Sequence, residues 1–119
     1  AVLEKRGGYR LGVQDVFLNI AGGLKVEDPA IDLAVCVSIV SSFLDVPVSS
    51  RICFAAEVGL GGEIRAINRA ENRIAEAEKL GFEEIYVSKF SLKGIDSKKF
   101  NIRIHAFSRL EDMIRQLMQ

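Results

Sequence analysis

What this chain lacks narrows it first. Sixteen basic and sixteen acidic residues cancel, so no bulk charge draws it to a polyanion or a membrane surface. A nucleic-acid contact needs a local patch instead. The two cysteines, Cys36 and Cys53, lie in apolar runs without a CxxC or Cys/His spacing. That pattern suits reduced, buried thiols better than a disulfide or a metal centre. The single histidine, His105, stands in an alternating stretch with no ligand cluster around it, and no second histidine exists to build a conventional catalytic triad. No leader sequence is visible. The longest apolar run, "IDLAVCVSIV", contains Asp32 and Ser38 and is too short to cross a bilayer. A cytoplasmic domain without a membrane partner is the expectation. Finally, "GLGG" at 59–62 lacks the GxGxxG spacing and no Lys-Ser/Thr pair follows it, so neither a dinucleotide loop nor a P-loop is indicated. Its glycines suit a tight turn between strands.

What remains is ample for one core. Of 119 residues, 49% are hydrophobic and 27% charged, which excludes intrinsic disorder and fits a single domain. The opening "AVLEKRGGYRLG" reads as a helical fragment with no cap, ending at Gly7-Gly8, as in a piece cut from a longer protein. "DVFLNI" (15–20) alternates as a strand, and "AGGLKV" gives a bend and a second short strand. Residues 29–44 spell a long helix with apolar residues almost all round it, which predicts central burial. Pro47 ends that region. "RICFAAEV" reads as one core strand, followed by a glycine turn into another. A helix from about Ala70 to Leu80 stops at Gly81. "EEIYVSK" and "NIRIHAF" are further strands, separated by a polar loop rich in lysine and serine, and an amphipathic helix ends the chain. Alternating strands and helices predict an α/β fold with one mixed sheet packed with helices.

The entrance of the first helix looks built for chemistry and carries none. Asp28 can cap it and Pro29 fits its first position, but Ala30 offers only a methyl group. Cys36 sits in mid-helix between Val35 and Val37, a packing position rather than that of an activated thiol. Ser41, Ser42, Ser49 and Ser50 read as helix-surface and loop residues. The basic residues have two readings. Lys5, Arg6 and Arg10 cluster before the first strand, Lys25 precedes the helix, and Arg65, Arg69 and Arg73 recur every four residues. Arg69 and Arg73 would share one helix face. They form either a solvated face balanced by Glu71, Glu76 and Glu78, or a stripe that contacts phosphates or a neighbouring subunit.

The run from "PAIDLAVCVSIV" through "AEVGLGGEIRAINRAENRIAEAEKLGF" resembles the proteolytic domain of the Lon family. There a serine opens the central helix and a lysine early in the next helix takes its proton. Matched without gaps, Ala30 falls on the serine and Arg73 on the lysine. A methyl group cannot attack, and an arginine, protonated at any biological pH, cannot act as the general base. Asp32 fills a small third position with a carboxylate. The resemblance implies a Lon-like, two-layer fold without Lon-like catalysis.

A narrower resemblance covers almost the whole chain. "AVLEKRGGYRL", "DVFLNIAGGLKV", "PAIDLAV", "AEVGLGGEIRAI" and "RIAEAEKLGF" are similar, in order, to the C-terminal domain of the bacterial RadA (Sms) family of DNA recombination and repair proteins. This implies that residues 1–12 end a helical linker from an upstream RecA-like ATPase domain and that 13–119 form the Lon-protease-like domain. It further implies no cofactor in this domain, with ATP, Mg and Zn held upstream. The implied partners are single-stranded or branched DNA, a RecA-type recombinase and further copies in a hexamer. The implied activity of the whole protein is branch migration, with Lys5, Arg6, Arg10, Lys25, Arg65, Arg69 and Arg73 as candidate DNA contacts. Two other readings stay open: a pure assembly or partner-docking module without DNA contact, and a residual peptidase using Cys36 or a nearby serine.

Overall fold

Ala56 decides how the chain is laid out. In the computed structural model, which describes residues 29–118, strand β1 (Ile52–Ala55) stops at this residue, and β2 (Glu57–Val58) starts after it in a different sheet. The Ala56 amide donates to the Ala30 carbonyl at 3.0 Å, and its own carbonyl accepts from Leu33 at 3.1 Å. Both backbone groups of Ala56 are therefore taken by the helix entrance instead of by a neighbouring strand. The single strand predicted over 51–58 is thus two strands. The predicted single mixed sheet is, among the described residues, a three-stranded parallel sheet and a two-stranded antiparallel one. The α/β class itself holds. The linker helix at 1–12, the strand at 15–20, the short strand after it and the Asp28 cap lie outside the described residues.

The first helix begins as a 3-10 turn, Pro29–Ile31, and continues as α1, Asp32–Leu44. Its predicted all-round burial needs correction. Leu33, Ala34 and Val37 are buried, whereas Ile39 is 62% and Phe43 87% exposed. A helix packed on one side of a sheet can bury only the face turned toward it, however apolar its other face is. Asp45 closes the helix in the left-handed conformation, its amide bonded to Ser41.

The parallel sheet runs in the order β1, β4 (Glu84–Ser88), β5 (Arg103–Phe107). Its register aligns Phe54, Tyr86 and His105 in one row, and Cys53, Ile85 and Ile104 in the next, on the opposite face. The first row is an aromatic ladder. Phe54 and Tyr86 stack with centroids 5.4 Å apart, and Tyr86 and His105 at 4.5 Å. Helix α3 (Leu110–Leu117) reaches this row through Gln116, whose amide lies 3.4 Å from His105 Nδ1. Helix α2 (Ala70–Lys79) buries Ile74 and Ala77 and ends before Gly81, whose φ of +95° is the left-handed stop expected there.

The hairpin of β2 and β3 (Ile64–Arg65) turns on "GLGG" as predicted. Gly62 has φ +85°, and a Cβ at Gly59 would stand 2.4 Å from the Glu63 carboxylate. The first position needs the left-handed region and the second needs room.

Candidate functional site

At the helix entrance the Ala30 side chain is fully buried. The neighbouring Asp32 carboxylate accepts from the Val58 amide at 3.3 Å. With the two Ala56 bonds, three hydrogen bonds fasten this entrance to the β1–β2 junction. The geometry is that of a packing joint: a methyl group with no exposed surface and a carboxylate holding backbone.

Arg73, the second residue of the Lon comparison, lies in α2, and its Nε donates to the Asn68 carbonyl at 2.9 Å. The predicted arginine stripe does not form as drawn. Arg69 stands outside the helix as its N-terminal cap, at φ +58° and ψ +38°, with its carbonyl accepting the Arg73 amide. Its backbone therefore departs from the helical path that would align it with Arg73. Arg65, on β3, is held between Glu57 at 3.1 Å and Glu63 at 2.7 Å. The bond to Arg65 is also the chief reason that the Glu63 carboxyl titrates below its ordinary range. Lys5, Arg6, Arg10 and Lys25 lie outside the described residues.

Two of the candidate serines take part in local hydrogen bonds. Ser41, which is buried rather than on the helix surface, donates to the Val46 carbonyl. Ser49 accepts from the Arg51 amide at 3.1 Å. Burial, and secondarily the Asp32 charge, raise the Cys36 thiol. Burial pushes Cys53 up to about 12. Both stay protonated where an attacking thiolate would be needed.

These thiols, together with Tyr86, whose phenol is raised by burial first and by Glu84 second, give an alkaline dependence with a definite sign. Each holds its proton more tightly folded than unfolded, so the folded chain binds more protons above pH 9. The stability they contribute is complete below the unfolded values, 9.0 for the cysteines and 10.0 for tyrosine. It is lost as pH climbs toward about 12. Urea unfolding at successive pH values from 8 upward checks this; a flat midpoint above pH 9 contradicts it.

Sequence reasoning missed two features. The first is Arg109, whose Nη2 donates to the Gly61 carbonyl at 2.9 Å while the Leu110 amide bonds the Gly62 carbonyl at 2.8 Å. The glycine turn is thus docked on the start of α3, where a shallow cleft is lined by Gly61, Gly62, Arg109, Leu110, Ile114 and Arg115. No local signal joins positions 61 and 109. The second is the connection from β4 to β5. Parallel neighbours require a crossover, usually a helix. Here residues 89–102 cross instead with two 3-10 helices, Lys89–Leu92 and Ser97–Lys99. The signal was present as repeated Lys-Phe neighbours, 89–90 and 99–100, inside what reads as a polar loop.

His105 is paired within the sheet. Its Nε2 lies 2.7 Å from the Glu84 carboxylate, which Arg103 approaches at 3.7 Å. Among the described residues no helix is long and apolar enough to cross a membrane.

Comparison with known proteins gives two findings. The family described as "Subunit ChlI of Mg-chelatase" matches residues 1–91. DNA repair protein RadA of Streptococcus pneumoniae (strain ATCC BAA-255 / R6) is 50% identical over 117 residues, which is 98% of this chain and 28% of that protein. RadA of Streptococcus pyogenes serotype M1 is 54% identical over 96 residues, 81% of this chain and 21% of that protein. RadA of Bacillus subtilis (strain 168) is 51% identical over 94 residues, 79% and 20% respectively. The chain thus spans between a fifth and just over a quarter of these relatives.

Proposed function

We propose, from the premise that the chain belongs to the family described as subunit ChlI of Mg-chelatase and is homologous to a segment of bacterial DNA repair protein RadA, that it is a non-proteolytic scaffold domain of a DNA-repair ATPase. In this reading it is a Lon-like domain of a cytoplasmic protein. It helps close a hexameric ring and contacts single-stranded or branched DNA. ATP and Mg, with a structural Zn, are held elsewhere in the whole protein, whose motor drives branch migration of intermediates made by a RecA-type recombinase.

The observation that carries the non-proteolytic part is the buried Ala30 methyl, fastened by backbone bonds where the resembling protease needs a hydroxyl. The guanidinium at Arg73 supports it, since it cannot serve as a neutral base. The assembly part is supported by α1, which carries no charged residue between Asp32 and Asp45 and exposes Ile39 and Phe43. Uncharged, aromatic-bearing patches are typical of interface cores.

A second reading, an assembly module that never touches DNA, draws on the charge pairing. Arg51 pairs with Glu83, Arg65 with Glu57 and Glu63, Arg109 with Glu111, and Arg115 with Asp112. Fluorescence anisotropy of a labelled single-stranded oligonucleotide with this chain separates the two. The first reading expects binding at about 50 mM salt that falls steeply by about 200 mM, as phosphate contacts do. Casein stays intact in the same preparation. Absence of binding at low salt selects the second reading, and casein turnover abolished by Cys36→Ser overturns both.

A further inference from the structure

We propose that the crossover strap at 89–100 is a seat for single-stranded nucleic acid, with Phe90 stacking on a base and Lys89, Lys93 and Lys98 meeting phosphates. This rests on the DNA-contact reading above and centres that contact on the strap, with Arg69 of the arginine series on the turn beside it.

The strap carries an excess of positive charge. It holds four lysines and one acid, Asp96. The Asp96 carboxylate, itself exposed, caps the second 3-10 helix by accepting the Lys98 amide at 3.1 Å. Lys99 is drawn to Glu71 at 3.0 Å. Among the described residues, Lys89, Lys93 and Lys98 are exposed and no carboxylate pairs with them. Phe90, 60% exposed, stands beside the Lys89 ammonium, which lies 5.9 Å from its ring centroid. An exposed aromatic face beside unpaired cations is the combination that holds unstacked bases and their backbone together.

The platform is also held in place. Ser88, fully buried, accepts the Phe90 amide at 3.1 Å and donates to the Ile64 carbonyl at 3.0 Å. Ser91 accepts the Ile67 amide at 3.2 Å. That bond sets the turn carrying the exposed Arg69 against the strap. At the far end Glu78 accepts the Asn101 and Ile102 amides. The strap is thus pinned at both ends by serine hydroxyls and α2 carboxylates, and its ring is presented without further ordering. Preorganisation of this kind lowers the cost of binding. A duplex keeps its bases stacked on one another and can use only the lysines, so the ring selects single strands.

The test is anisotropy of this chain with labelled oligo-dT and with a duplex of equal length. Phe90→Ala is expected to weaken the single strand roughly 5- to 150-fold while leaving the duplex unchanged, and Phe90→Tyr to restore the single-strand affinity. The triple variant Lys89→Gln, Lys93→Gln, Lys98→Gln is expected to lower the salt slope for the single strand by about 2. Wild-type binding that neither variant alters overturns this inference while the DNA-contact reading survives. No wild-type binding at low salt overturns both. A triple variant that loses only its affinity for phosphatidylserine vesicles shows the strap to be a membrane contact instead, and overturns the inference as well. Unchanged circular dichroism of each variant ensures that the readout is binding and not folding.

Discussion

Phe54→Ala is expected to remove about 3–5 kcal/mol of stability, against a total of about 5–15 kcal/mol for a typical domain. Among the described residues Phe54, on β1, is the largest of the fully buried side chains. It begins the ring row that continues through Tyr86 to His105. Truncation opens a cavity that cannot close easily, because β1 is fixed by its register to β4 and by Ala56 to Ala30. Lost transfer energy and lost contacts therefore add. Phe54→Leu keeps much of the volume and is expected to lose clearly less. Equilibrium urea unfolding of both variants reads the difference; equal losses would mean that the ring itself is not packed as described.

The second large effect distinguishes the two faces of α1. Leu33→Ala is expected to cost about 2–5 kcal/mol, since Leu33 is wholly buried and its amide is one of the bonds to Ala56. Phe43→Ala, on the same helix, is expected to stay within about 0.5 kcal/mol in the dissociated chain, because its ring is exposed. The larger side chain thus matters less, the reverse of what hydrophobicity alone gives. Matching losses, measured at protein concentrations low enough to prevent association, would falsify the one-sided packing of α1.

Local signals located most elements correctly. Gly81 ends α2, "GLGG" turns the hairpin, and "EEIYVSK" and the alternating "NIRIHAF" contain strands β4 and β5. Each depends on preferences confined to a few neighbouring residues: a left-handed φ, a missing Cβ, a period of two. Where local reading failed, the cause lay across the fold. "RICFAAEV" has no break within it; the break comes from Ala30 and Leu33 claiming the Ala56 backbone. Arg69 and Arg73 have helical spacing, yet the helix starts after Arg69.

The same division applies to the candidate site. That Ala30 lacks a nucleophile, that Arg73 lacks a neutral state and that lysines alternate with phenylalanines near 90 and 99 are properties of residue type, legible in the sequence whatever the fold. That the methyl is sealed under backbone bonds, that Ser41 serves a carbonyl, and that the strap turns Phe90 outward while Ser88 turns inward were decided by tertiary structure. Side-chain chemistry is a local property, whereas exposure depends on which distant segments come to lie against each side chain. Covalent identity can exclude a reaction, but only packing determines which charges and rings remain available to a partner.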